Sequence, residues 1–218
     1  LARTSAEVLS ANGIKVYLFT SLRPTPELSF AVRELGCKSG IVITASHNPK
    51  EYNGYKVYGD DGCQIVSPFD VELINKVRTL SIEDVNFNVD EDLIIALGEE
   101  MDDTYIERLK TLSLSPEAIK EQQKLPIVFT GIHGTGAVMV PKALKAFGFS
   151  NVMTVASQDV IDGNFPTVHS PNPEEPAALE LAIILAKEKG AELVLGTDPD
   201  ADRVGIAIPN KAGEFILL

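Results

Sequence analysis

Three carboxylates alternate within five residues in the stretch Gly196-Thr197-Asp198-Pro199-Asp200-Ala201-Asp202-Arg203. Charges spaced this closely repel one another unless a cation neutralises them, and hard divalent ions take oxygen ligands of this kind. The pattern points to a metal site built from Asp198, Asp200 and Asp202. An EF-hand loop begins with the same alternation, but counting from Asp198 puts Arg203 where its sixth-position glycine belongs and Pro209 where its twelfth-position glutamate belongs. A bland exposed acidic turn fits less well, because apolar runs at 193–195 and 204–208 flank the loop.

A second group is Thr44-Ala45-Ser46-His47-Asn48-Pro49, at the end of an apolar run. A serine hydroxyl is a poor nucleophile unless a base, a metal or a cation assists it. His47 is the sequence neighbour of Ser46, so an ordinary triad with His47 as general base is not implied. Taken alone, the stretch also reads as a Ser/Asn turn closing a strand. The third group is Gly131-Ile132-His133-Gly134-Thr135-Gly136, between a strand and a helix, where glycines let backbone amides approach an anion. Asp159 lies where the ribose-binding acid of a dinucleotide fold would stand, yet the glycine spacing is not G-x-G-x-x-G. A tight strand-to-helix turn explains the same residues.

Elements that must position these groups alternate between short β-branched runs and amphipathic stretches, the pattern of βαβ units. Strands are expected at 16–20 and 40–45 around a helix opened by Thr25 as N-cap and Pro26, forming one βαβ unit. Residues 53–58 and 63–66 read as a hairpin about Asp61-Gly62, with a helix from Ser67-Pro68 to about Leu80. A helical pattern at 105–112 follows the acidic stretch 90–103. Strands are then expected at 125–130, 151–156, 192–196 and 204–208, with helices at 137–147 and 176–189, and residues 214–218 stop in what reads as a strand. Residues 157–175, with three prolines, form an irregular segment of the length usually found in functional or disordered loops. The fold class is α/β: two consecutive α/β domains, 1–100 and 101–218, with mixed, mainly parallel sheets flanked by helices.

At 218 residues and 44% hydrophobic, the chain can supply a core for two modest domains. Its formal charge, 19 minus 31 or −12, argues against nucleic-acid or anionic-membrane partners. No apolar stretch approaches the roughly 20 residues of a membrane span. Cys37 and Cys63 are too few for a disulfide framework and are expected as small buried hydrophobes, which fits a cytoplasmic protein. Leu1 is no initiator methionine, and the chain reads as a piece of a longer polypeptide.

Together these motifs resemble the α-D-phosphohexomutase family, which includes phosphoglucomutases and phosphomannomutases. The matching residues are 44–49, Asn53-Gly54-Tyr55-Lys56, His133-Gly134-Thr135-Gly136 and Asp198-Pro199-Asp200-Ala201-Asp202-Arg203, in the family's order. The resemblance implies that Ser46 is carried as a phosphoserine and that Asp198, Asp200 and Asp202 bind Mg²⁺ together with a phosphoserine oxygen. It implies a catalytic set of Ser46, His47, Lys56 and Arg203. Lys56 is the proton shuttle, Arg203 contacts the phosphoryl group, His47 orients the phosphoserine or touches substrate, and His133 supports its loop. The implied reaction is an intramolecular phosphotransfer interconverting sugar 1-phosphate and 6-phosphate through a bisphosphate. Family members have four α/β domains, and this chain matches the latter part of the first and most of the second. Missing domains are therefore expected to complete the site, and the fragment is expected to be inactive alone. The alternatives are a nucleotide-binding module using Gly131 to Gly136 and a non-catalytic α/β interaction domain.

Overall fold

The computed structural model describes all 218 residues, which divide into two compact units. The first comprises residues 1–22, 27–43 and 54–101; the second comprises 23–26, 44–53 and 102–218.

The elements of the first stretch are α1 (Ala2–Ala11), β1 (Val16–Phe19), α2 (Thr25–Glu34), β2 (Gly40–Ile43), β3 (Tyr55–Tyr58), α3 (Phe69–Val77) and β4 (Ile94–Leu97). Helix α2 buries Phe30, Ala31 and Val32. It lies so close to the start of β2 that a side chain at Gly40 would meet Val32 at 2.6 Å. One expectation fails here and another is met only in part. Strands β1 and β2 are not a parallel pair: β1 runs parallel to β4, Val16 opposite Ile94, and β2 pairs antiparallel with β3, Val42 opposite Lys56. The second hairpin arm at 63–66 forms only in part: one bridge joins Tyr58 to Gln64, Gly59 N–H donates to the Cys63 carbonyl and Ile65 N–H to the Val57 carbonyl, but the arm does not extend into a strand. Gly62 does make the turn, at φ +76°. Cys63 is exposed and Cys37 only half-buried, so neither is the core residue expected.

Helix α4 (Glu99–Lys110) begins earlier than its apolar spacing suggested, and α5 (Pro116–Glu121) was not anticipated. Then come β5 (Ile127–Thr130), α6 (Gly136–Phe147), β6 (Val152–Thr154), α7 (Glu180–Lys189), β7 (Leu193–Thr197), β8 (Val204–Pro209) and β9 (Phe215–Leu217). Their sheet has the order β6-β5-β7-β8-β9, with β6, β5 and β7 parallel and the last two strands antiparallel. Strand β5 is buried at every residue, as an interior parallel strand covered on both faces must be. Val128 and Val194 pack with Ala182 and Ala186 of α7, and alternation turns Ile127 and Phe129 to the opposite face.

Leu179, in the 3₁₀ turn leading into α7, is fully buried with Ile132 and Ala178. Its side chain occupies the space a Cβ at Gly196 would need, at 2.3 Å. Leu179→Ala is expected to cost about 3 kcal/mol of unfolding free energy, read as a lowered urea midpoint at unchanged m-value.

The segment 157–175 is tied to β5 through one buried glutamine. Thr130 Oγ1 donates to Gln158 Oε1 at 2.7 Å, and Gln158 Nε2 donates to Thr167 Oγ1 at 2.9 Å. Gln158 is fully buried.

Candidate metal and phosphoryl site

The chain passes from β5 to β6 on one side and then returns to β7 on the other, so β5 and β7 flank the point where strand order reverses. Ligands in open α/β sheets gather beyond the carboxyl ends of strands at such a point. The loop after β5 is Gly131 to Thr135, and the loop after β7 is Asp198 to Arg203. Register holds the two together, with Thr130 opposite Gly196.

The Asp loop closes on its own first residue. Asp198 Oδ1 accepts the backbone N–H groups of Asp202 and Arg203 at 3.2 and 3.0 Å. Ala201 turns the loop at φ +54°. Asp198 and Asp200 are buried, Asp202 is exposed, and one oxygen from each lies within 4.8 Å of the others. Burial pushes the Asp198 carboxyl up to about 7, with the charges of Asp200 and Asp202 acting in the same direction and the Arg203 N–H opposing. The fit to a cation is therefore good: this donor set is all oxygen, clustered and strained by its own charge.

The serine loop supplies a fourth oxygen. Ser46 stands at φ +54°, its N–H held by Thr44 Oγ1 at 2.8 Å. Its Oγ donates to Asp198 Oδ2 at 3.0 Å. His47 Nδ1 lies 3.3 Å from the same Oγ. With the hydroxyl proton given to Asp198, that contact is one in which Nδ1–H donates, the reverse of a general base. The four oxygen-bearing residues singled out by sequence, Ser46, Asp198, Asp200 and Asp202, thus come together within the second unit.

The other two residues are placed differently. The Arg203 guanidinium is paired with Glu174 at 3.1 Å, so its backbone rather than its side chain serves Asp198. Lys56 sits half-buried on β3 in the first unit. His133 is buried, with Nδ1 2.9 Å from the Val160 carbonyl and Nε2 2.8 Å from Thr167 Oγ1, which is the supporting role expected of it.

The glycine loop buttresses the Asp loop. Thr135 N–H and Oγ1 both donate to the Pro199 carbonyl, at 2.8 and 2.9 Å. A Cβ on Gly134 would stand 2.3 Å from Pro199 Cα, and one on Gly136 would stand 2.3 Å from Thr197 Oγ1. Backbone and side-chain atoms of the protein fill the space that a nucleotide-binding reading assigns to a phosphate. Gly134→Ala is accordingly expected to cost about 2–3 kcal/mol and to weaken cation binding together with stability, a pairing that melting curves with and without Mg²⁺ would display.

Sequence reasoning missed two contacts that secure this site. Thr25, expected as a local N-cap, gives its hydroxyl to Asp200 Oδ2 at 3.1 Å. Arg23 grips Asp102 through Nε at 2.5 Å and Nη2 at 3.1 Å, both side chains nearly buried. Neither pair has a local spacing signal, and only the fold brings the partners together.

Comparison with known proteins follows the same lines. Residues 103–212 match the alpha/beta/alpha domain II of the phosphoglucomutase/phosphomannomutase family, and residues 1–83 match its alpha/beta/alpha domain I. The chain belongs to the phosphoglucomutase/phosphomannomutase family. A Haemophilus influenzae protein named "Probable phosphomannomutase" is 42% identical over 98% of this chain, and a Staphylococcus haemolyticus phosphoglucomutase is 40% identical over 98%. This chain spans 44% and 39% of their lengths. A crystal structure of a phosphoglucomutase/phosphomannomutase family protein from Burkholderia thailandensis superposes with a TM-score of 0.68 at 27% identity, covering 95% of this chain and 43% of that one. As a family member the chain has the expected α/β fold. No helix is long and apolar enough to cross a membrane.

The raised Asp198 value also sets a pH dependence. Its carboxyl titrates at about 7 in the fold against an ordinary 3.8, so the fold favours the neutral form. That contribution to stability is whole below about pH 4 and is lost as pH rises through about 7. A bound cation acts oppositely, since it requires the carboxylate. The rise in melting temperature produced by a divalent cation held at this cluster is expected to grow between pH 5.5 and 8. A pH-independent rise would contradict this.

Proposed function

We propose that this chain carries the phosphoryl-donating and metal-binding portion of a phosphohexomutase, an intramolecular phosphotransferase interconverting sugar 1-phosphates and 6-phosphates. The observation that carries the reading is the 3.0 Å approach of Ser46 Oγ to Asp198 within a cluster of three carboxylates. A hydroxyl held against such a cluster is poorly placed for hydrolytic attack. A phosphoryl group on that oxygen, by contrast, stands at the mouth of a cation site.

Phosphate monoesters react extremely slowly unaided, so a phosphoserine at residue 46 can be stored until substrate arrives. In the forward half-reaction the bond from Ser46 Oγ to phosphorus breaks as a bond forms from phosphorus to a sugar hydroxyl oxygen. The hydroxyl proton passes to a base, and Ser46 recovers a proton. The bisphosphate then reorients and returns its other phosphoryl group to Ser46, leaving an isomerised monophosphate. Asp198, Asp200 and Asp202 would hold Mg²⁺, which when bound supplies charge neutralisation at the phosphoryl oxygens. His47, donating through Nδ1, orients the group on Ser46. Arg203 is assigned to the phosphoryl oxygens, in exchange for Glu174. Lys56 is assigned the proton shuttle on the strength of the family match.

The relatives are more than twice as long as this chain, and further domains of the same polypeptide are proposed to complete the sugar-binding site. The test is intact-mass analysis of the full-length gene product after incubation with a hexose 1,6-bisphosphate and Mg²⁺. One phosphoryl group on the wild type and none on Ser46→Ala supports the reading. An unmodified wild type, or a group that persists in Ser46→Ala, overturns it.

A further inference from the structure

Asp200 is attached twice to one residue 175 positions earlier: its Oδ2 accepts the Thr25 hydroxyl at 3.1 Å. Its carbonyl oxygen accepts the Thr25 N–H at 2.9 Å. Both residues are buried, Thr25 at 5% and Asp200 at 4% exposure. The backbone bond fixes where the loop passes, and the hydroxyl bond fixes how the Asp200 carboxylate is rotated about its last bond. Thr25 is itself held firmly. Two residues upstream, Arg23 makes its two-pronged ion pair with Asp102, and a β-branched side chain has little freedom at χ1.

We propose that Thr25 is a positioning residue for the cation site: its hydroxyl aligns the Asp200 carboxylate so that it can meet the ion together with Asp198 and Asp202. This rests on the reading of those three carboxylates as a cation site. Carboxylates that ligate metals are commonly held by a further hydrogen bond, and losing that partner weakens metal affinity ten- to a hundredfold. A loop that had only to be fastened to the fold would be served by the backbone bond and by packing. The hydroxyl adds orientation of the charged group.

Three variants separate these roles. Thr25→Val keeps the shape and the backbone bond but removes the donor; Thr25→Ser keeps the donor and removes a methyl group; Asp200→Asn removes the ligand charge. Mn²⁺ titration calorimetry on the chain, with melting curves taken in chelator, is expected to show Thr25→Val binding roughly tenfold more weakly. Thr25→Ser should bind within about twofold of wild type, and Asp200→Asn should lose binding almost completely. Wild-type affinity in Thr25→Val beside lost binding in Asp200→Asn would overturn the proposal and leave the cation site standing. Unchanged binding in Asp200→Asn would bring down the cation reading and the proposal with it. Should Thr25→Val melt too low to titrate, Thr25→Ser decides: affinity tenfold below wild type at an unchanged melting temperature overturns the hydroxyl's role.

Discussion

Replacing Ser46 by alanine in the full-length gene product is expected to lower turnover of hexose phosphate by about 10⁴-fold or more, because the group that leaves and returns in each cycle then has no carrier. The loss should fall on kcat. A structural objection is available, since Ser46 sits at φ +54°, where an L side chain is mildly strained. Ser46→Gly answers it: glycine adopts that conformation without strain, so the variant should melt no lower than wild type and be as inactive as Ser46→Ala. Activity retained in either variant would remove the phosphoserine from the account.

The second large effect concerns Asp198. Its Oδ1 accepts two backbone N–H groups of its own loop, while its Oδ2 faces Ser46. Asparagine can keep the first arrangement, with its carbonyl oxygen at the Oδ1 position, and can donate to Ser46 Oγ from the other. Asp198→Asn is therefore expected to preserve the loop while removing one of three mutually repelling charges. In chelator above pH 7 the variant should be more stable than wild type by about 1–2 kcal/mol, as relief of a buried like-charge cluster predicts. Its Mg²⁺ affinity should fall by roughly 10²-fold or more, since a ligand charge is lost. Melting curves with and without Mg²⁺ read both effects. A variant less stable in chelator and unchanged in Mg²⁺ response would show that Asp198 is a structural acceptor only.

Much of this was legible in the residues themselves, for reasons that differ along the chain. In the second half, β5, β7 and β8 are apolar runs bounded by polar or glycine-rich turns, and α6 ends at Gly148 in the left-handed conformation, so each element carries its own signal. Strand β4 is also an apolar run, Ile94 to Leu97 before Gly98, but its setting hid it. Its four residues lie inside an acidic stretch, and its partner β1 is far away in sequence, Val16 pairing with Ile94. The Asp61-Gly62 turn joins β3 to the arm after it as its residue types indicate, but a turn signal does not say how far the pairing runs or that β3 also pairs with β2. Cys63 was expected inside on residue type alone, whereas it follows a turn at the surface.

The site divides in the same way. Repulsion among Asp198, Asp200 and Asp202 is readable from spacing, and the family motif brought in Ser46. The Thr25 bond to Asp200 and the Arg23 pair with Asp102 are products of tertiary structure; Thr25 has the local signature of a helix cap, and nothing in the spacing of Arg23 and Asp102 pairs them. The glycines of the loop after β5 were compatible with an anion or a tight turn. Only the approach of Pro199 to Gly134 shows that they make room for the neighbouring loop.

The most direct measurement is a crystal structure of the protein phosphorylated at Ser46 and soaked in Mn²⁺, with the ion located by its anomalous signal. A single ion ligated by Asp198, Asp200, Asp202 and one oxygen of the Ser46 phosphoryl group is the predicted result. An ion bound elsewhere, or a phosphoserine turned away from the three carboxylates, would contradict the account.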